Sequence, residues 1–91
     1  MGFIAKTKHM GDIEYHYGEL IILENIFGNI FYGKFINTID DKIALIDSNG
    51  FLKLYRKAPI NKVNGSLVKS IEFKGGIKWK HFYYVYLWYY Y

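Results

Sequence analysis

Residues 29–39 carry the feature that most restricts the fold, an alternating strand pattern with a glycine at its centre. The alternation predicts one strand face made of Phe31, Gly33, Phe35, Asn37 and Ile39, with the intervening residues on the other face. Because Gly33 has no side chain to pack, it predicts a sharp bend or a close backbone approach, as at the corner of a barrel. The pattern therefore favours a small, strongly curved sheet.

The rest of the chain is also typical of strands. Alternation and β-branched or aromatic residues predict strands over residues 20–24, 42–47, 51–56, 60–63 and 67–73. Asn49-Gly50 and Asn64-Gly65 are hairpin-turn signals, and Pro59 ends a strand. The first nineteen residues are ambiguous between further strands and a short helix. We therefore expect an all-β, closed or nearly closed barrel, because closure removes most exposed strand edges.

Length and composition limit the class of protein. The 91 residues suffice for one domain, and the absence of cysteine excludes disulfides and thiolate metal sites. We expect a single domain over residues 1–91, with a core at about 20–73, an N-terminal extension at 1–19 and an aromatic extension at 74–91. No uncharged stretch approaches the ~18 apolar residues of a membrane span, and no apolar run follows Lys6 and Lys8 as in a signal peptide. A cytoplasmic location, or the host cytoplasm for a viral protein, is the expectation.

Charge divides the chain into two unequal halves. Residues 1–47 hold four lysines and seven acidic residues, whereas residues 48–91 hold eight basic residues and only Glu72. A half this basic favours contact with phosphates or another anionic surface. The alternative is a solvated face that keeps a tyrosine-rich chain in solution.

The middle of the chain resembles a known family. Gly28 and Gly33 are separated by four residues in the run 28–35, and the acidic loop Asp40-Asp41-Lys42 follows. The run 54–63 then places Arg56 ahead of Ile60 and Val63 at matching spacing. In these two motifs, residues 23–63 resemble the Sm-like family, which includes bacterial Hfq and the archaeal and eukaryotic Sm proteins.

This resemblance implies a strongly bent, five-stranded antiparallel barrel of the Sm-like or SH3-like kind. It also implies a closed homo-oligomeric ring of five to seven protomers, in which strand 4 of one protomer pairs with strand 5 of the next. Open edges in a small barrel agree with such head-to-tail closure. Single-stranded RNA would bind around the pore, at loops corresponding to residues 40–42 and 56–58.

The candidate RNA-binding residues are Asp40, Asp41, Lys42, Arg56 and Lys57. A ring would repeat Arg56 and Lys57 around one pore, and arginine can stack on a base or bind a phosphate with two hydrogen bonds. The aspartates could bind a base edge or pair with these cations. The alternative is a solvated strand end and an ordinary acidic turn. Lys69, Lys74, Lys78, Lys80 and His81 are interleaved with aromatic residues, which suits either single-strand binding or a solvated cationic face.

The C-terminal residues 81–91 are aromatic or apolar on both faces of a strand pattern. One row contains Phe82, Tyr84, Tyr86, Trp88 and Tyr90. Since such a segment is an aggregation hazard when exposed, we expect it to pack on the barrel or in a subunit interface, with stacking on nucleobases as the alternative.

The sequence predicts no catalysis, cofactor or metal site. The adjacent aspartates point to opposite sides of a strand and lack a nucleophile or histidine, and the three histidines are far apart. The first functional hypothesis is a non-catalytic Sm-like ring that binds single-stranded RNA. The second is a structural or protein-interaction barrel, for example of a virus, that assembles through strand edges and its aromatic segment.

Overall fold

A computed structural model describes residues 2–75, which form one open antiparallel sheet of eight strands. The strands are β1 (Gly2–Thr7), β2 (Asp12–His16), β3 (Leu20–Asn25), β4 (Ile30–Ile39), β5 (Lys42–Ile46), β6 (Leu52–Arg56), β7 (Ile60–Val63) and β8 (Ser66–Lys74). The all-β prediction is confirmed. The strand number is eight rather than five, because the first nineteen residues supply two strands and β8 continues the sheet beyond β7.

The strand order divides the sheet into two parts. Across the sheet the order is β2-β1-β8-β7-β3-β4-β5-β6, and every neighbouring pair is antiparallel. We call β3–β7, residues 20–63, the central unit, and we call β1, β2 and β8 the flanking strands. The predicted Asn64-Gly65 turn connects the two parts between β7 and β8, with positive φ angles of 49° and 81°. The segment that resembles the Sm-like family falls within the central unit.

The flanking strands fold back over the central unit and share its core. The Phe3 ring on β1 lies 5.2 Å from the Phe35 ring on β4, centroid to centroid, and 5.1 Å from the Tyr15 ring on β2. The N-terminal strands thus contribute buried side chains, and no helix forms there. The main core draws on both parts and consists of Phe3, Ala5, Tyr15, Ile21, Leu23, Phe35, Ile43, Leu45, Ile60, Val63, Val68 and Ile71.

Gly33 marks a close backbone approach, as its position predicts. A Cβ atom at this position would lie 2.6 Å from the carbonyl oxygen of Ile46 on β5 and 3.1 Å from the Cβ of Leu45. Real Cβ atoms do not tolerate the first distance, so β5 can lie this close to β4 only because residue 33 is glycine.

The predicted face assignment is correct up to Phe35 and wrong beyond it. Phe35 pairs with Leu45, but Asn37 pairs with Ala44, so Ile36 is an extra residue that forms a β-bulge. The bulge exchanges the two faces. Thr38 then shares the main core face with Ile43, whereas Ile39 packs with Ala44 in a second cluster on the opposite face, with Ile36, Leu52 and Leu54.

Candidate nucleic-acid interface

The five residues predicted to bind RNA lie together at one end of the sheet. Asp40 and Asp41 form the two-residue turn between β4 and β5, where Ile39 pairs with Lys42. Lys42 in turn pairs with Arg56 on β6. The backbone N–H of Lys57 donates a hydrogen bond of 2.8 Å to the Asp41 carbonyl oxygen. We call Asp40, Asp41, Lys42, Arg56 and Lys57 the end cluster.

The acidic turn has a local electrostatic role. The Lys42 Nζ atom lies 3.1 Å from Asp41 Oδ1. This hydrogen bond is the main reason that the pKa of Asp41 lies below its ordinary value, and the charges of Lys42 and Arg56 lower the pKa further. Asp41 is therefore a stable anion among the cations of the end cluster, and its ion-pair partner is Lys42 rather than the predicted Arg56 or Lys57.

The two basic residues at the end of β6 differ in their surroundings. The Lys57 Nζ atom lies 4.8 Å from the centroid of the Phe73 ring on β8, which is a cation–π distance. The side chain of Arg56 is exposed and forms no ion pair within residues 2–75. Arg56 is therefore the cation of the end cluster best placed to meet an external anion.

Tyr55 packs one face of its ring inside the protein. Its ring stacks on Phe31 at 4.7 Å between centroids, with an interplanar angle of 27°. Burial raises the pKa of its hydroxyl, and the charge of Asp47 raises it further. The ring face that contacts Phe31 is not accessible to a ligand.

The structure adds two exposed apolar residues that the sequence analysis missed. Ile26 and Phe27 lie in the β3–β4 turn and are 63% and 78% exposed. The N–H of Ile26 donates a 2.9 Å hydrogen bond to the Pro59 carbonyl oxygen, two residues beyond Lys57. The Asn25 side chain accepts hydrogen bonds from the N–H groups of Phe27 and Asn29 and so holds the turn. An aromatic residue in a tight turn, where polar residues are usual, is the signal that would have identified Phe27.

The second basic and aromatic region is described only in part. Lys69 is exposed, and the Lys74 Nζ atom lies 3.1 Å from Glu14 Oε1. The other members of this region, Lys78, Lys80, His81 and their aromatic neighbours, lie outside the described residues. The predicted packing or interface residues Phe82, Tyr84, Tyr86, Trp88 and Tyr90 lie outside them as well.

The same part of the chain offers little for metal binding or for crossing a membrane with helices. Within residues 2–75, no three side chains of metal-binding type are grouped so that they could hold an ion. The described residues also include no helix of the length and apolar character that crossing a bilayer requires.

Comparisons with known proteins do not assign the chain to a family. No family model matches the sequence, and neither a curated protein nor a solved structure shows significant similarity to it.

Proposed function

We propose that this protein binds single-stranded RNA, without catalysis, through the end cluster and the adjacent turn that carries Phe27. The observation that supports the proposal best is the convergence of residues 40–42 and 56–57, which the sequence separates by thirteen residues, at one end of the sheet. The exposed Arg56 side chain suits a phosphate, and an exposed aromatic ring such as Phe27 suits a stacked base.

The proposal includes an Sm-like barrel and a ring. The central unit would be the bent five-stranded barrel, since it spans the range of the resemblance and is tightly packed at Gly33. In a ring, the end cluster would recur once per protomer around a pore. Within residues 2–75 the outer edge of β6 has no strand partner, but β7 lies between β3 and β8, with Lys62 and Val63 paired to β8. Strands 4 and 5 of such a barrel correspond to β6 and β7. A contact between β6 of one protomer and β7 of the next would therefore require β8 to separate from β7.

Substitution of the two basic residues at the end of β6 tests the RNA site. The variant Arg56→Ala/Lys57→Ala should bind single-stranded RNA more weakly, and the slope of log affinity against log salt should decrease by about 0.7 for each phosphate that the variant no longer binds. Fluorescence anisotropy with a labelled mixed-sequence RNA, at several salt concentrations, measures both quantities. The matched control is Lys8→Ala/Lys34→Ala, which removes two exposed lysines that have no ion pair in the described structure.

The control decides between specific and general attraction. If both variants weaken binding equally, the end cluster is no more than part of a basic surface and the proposed site is wrong. Phe27→Ala provides an independent test, because removal of one stacked base costs about 1–3 kcal/mol, or roughly 5- to 150-fold in affinity.

A structural or protein-interaction module is the second candidate function. The outer face of β3 and β4 carries large apolar side chains that no other strand covers among the described residues: Leu20 at 60%, Ile22 at 42%, Ile30 at 59% and Tyr32 at 60% exposure. Contiguous exposed apolar surface often marks a contact with another protein. This candidate predicts only weak, sequence-independent and salt-sensitive binding of RNA.

A further inference from the structure

The described sheet ends in two open strands of equal length, β2 and β6, with five residues each. Among the described residues each pairs with a neighbour on one side only, β2 with β1 and β6 with β5. An unpaired edge presents backbone N–H and C=O groups that can extend the sheet with another strand.

The hydrogen bonds at the strand ends identify which residues present these groups. The N–H of His16 bonds to Glu19 Oε1 and its carbonyl oxygen accepts from the N–H of Glu19, so both groups point away from β1. Because hydrogen-bonding direction alternates along a strand, the backbone groups of Asp12 and Glu14 point the same way. Beside β6, the N–H of Lys57 points to the β5 side, so the outward residues are Leu52, Leu54 and Arg56.

The two edges carry opposite charge. On β2, Asp12 has no ion pair among residues 2–75 and Glu14 is paired with Lys74, whereas Lys53 and Arg56 lie on β6 with Lys57 directly after it. Arg56 also lies opposite Lys42 of β5, so its cross-strand neighbour within the described sheet has the same charge. Asp41 already pairs with Lys42, whereas Arg56 forms no ion pair among residues 2–75. An acidic residue on the open side of Arg56 would therefore be a favourable cross-strand neighbour.

We propose that β6 of one copy pairs antiparallel with β2 of a second copy, so that the sheet continues from protomer to protomer. The register that uses the whole of both strands places Asp12 opposite Arg56 and Glu14 opposite Leu54. In both pairs, the backbone N–H and C=O groups of the two residues point toward the partner strand, as hydrogen-bonded antiparallel pairs require. Ile13 then lies opposite Tyr55, and each of these side chains packs against the main core of its own protomer.

This pairing concerns the self-assembly part of the proposed function, in which it replaces the contact between β6 and β7, and it does not depend on RNA binding. Where two copies meet, Arg56 pairs with Asp12, and Lys57 and Phe27 make the RNA contact. The pairing of β6 with β2 leaves the β7–β8 pairing intact, unlike a contact between β6 and β7. Because the two surfaces differ, the contact is head-to-tail, and it produces a ring where the rotation closes and a fibre where it does not.

Charge exchange between two variants of the full chain tests the proposal. In Asp12→Lys, position 12 and Arg56 are both positive, and in Arg56→Asp, Asp12 and position 56 are both negative. Each variant alone should therefore remain a single protomer, by light scattering after size exclusion at moderate salt, whereas an equimolar mixture should assemble. Lys69→Asp changes the net charge as much as Arg56→Asp does, away from both edges, and should assemble as the wild type does.

Hydrogen exchange supplies the second measurement. The amides of Glu14, Leu54 and Arg56 should exchange fast in dilute protein and become protected as concentration rises. A wild type that stays monomeric, single variants that assemble normally, or a mixture that fails to assemble would each overturn the proposal. Protection of these amides at every concentration would also overturn it, because the edges would then be covered within one chain, for example by residues 76–91. All measurements are made without RNA, so they do not depend on the RNA site.

Discussion

The central unit and the flanking strands differ in how far apart in the chain their paired strands lie. The central unit is built on a run of hairpins in which β3, β4, β5 and β6 pair in chain order, and its turns carry clear local signals. The flanking strands depend on a contact between opposite ends of the described chain, because β1 pairs with β8 over its whole length. Local pattern is therefore sufficient to recognise the first part, whereas the second exists only through long-range pairing.

The core shows that neither part is independent. Phe3 and Tyr15 from the flanking strands lie in one aromatic cluster with Phe35 of the central unit, and all three are buried. Without the flanking strands, the inner face of β3, β4 and β5 would be exposed. The segment that resembles a five-stranded barrel therefore needs three further strands to complete its core.

Phe3→Ala should produce the largest effect and tests most directly whether the flanking strands and the central unit share one core. Phe3 is fully buried between the two parts, so truncation should lower the free energy of unfolding by about 3–5 kcal/mol in a single transition. Chemical denaturation, followed by tyrosine fluorescence and by circular dichroism, measures it. Phe27→Ala, at a 78% exposed position, is the control and should change stability by less than about 0.5 kcal/mol.

A second outcome of the same experiment would contradict the shared core. If Phe3→Ala gave two separate transitions, with the later one close to that of the wild type, the central unit would fold by itself. Phe35→Ala, which removes the opposing ring from the central unit, should by contrast destabilise the whole protein to a similar extent as Phe3→Ala.

Gly33→Ala tests the central unit alone and should have an intermediate effect. The new Cβ would lie 2.6 Å from the Ile46 carbonyl oxygen, so β4 and β5 must separate at a cost of roughly 1–3 kcal/mol. Amide exchange should increase first in β5 and β6, with β1 and β2 less affected. An unchanged midpoint of denaturation would show that β5 does not lie this close to Gly33.

Lys42→Gln should produce the smallest effect and tests the end cluster. Since the hydrogen bond from Lys42 holds the pKa of Asp41 down, its removal should raise that pKa toward the ordinary aspartate value. A pH titration of the Asp41 side-chain carbon by nuclear magnetic resonance measures it, and Lys69→Gln is the control.

The sign of the associated pH dependence follows from linkage. A carboxyl whose pKa is lower in the folded state stabilises the fold at pH values above its unfolded pKa. This contribution disappears as pH falls through the folded pKa. Lys42→Gln should therefore make stability less sensitive to acid. Because Asp41 is exposed, the change is small, and an Asp41 pKa that does not respond would show that the pair does not form in solution.

The all-β class, the strands of the central unit and the close approach at Gly33 could be predicted from the sequence alone. These features depend on period-2 alternation, on turn residues and on the absence of a side chain, all of which are local properties of the chain. Residues 40–42 and 56–57 were grouped through the resemblance to the Sm-like family, and the pairing of β5 with β6 around the Asn49-Gly50 turn explains why they lie together.

The bulge at Ile36, the sheet partners of β1 and β8, and the strand edges without a partner among residues 2–75 depend on the tertiary structure. Alternation is the same on either side of a bulge, so the sequence does not reveal that Ile39 leaves the main core face while Thr38 enters it. Strand partners distant in the chain are selected by how completely a shared core is filled, which is a property of the whole fold. The contact of the Phe27 turn with Pro59, made by Ile26, and the opposite charges of β2 and β6 can be interpreted only once those strand partners are known.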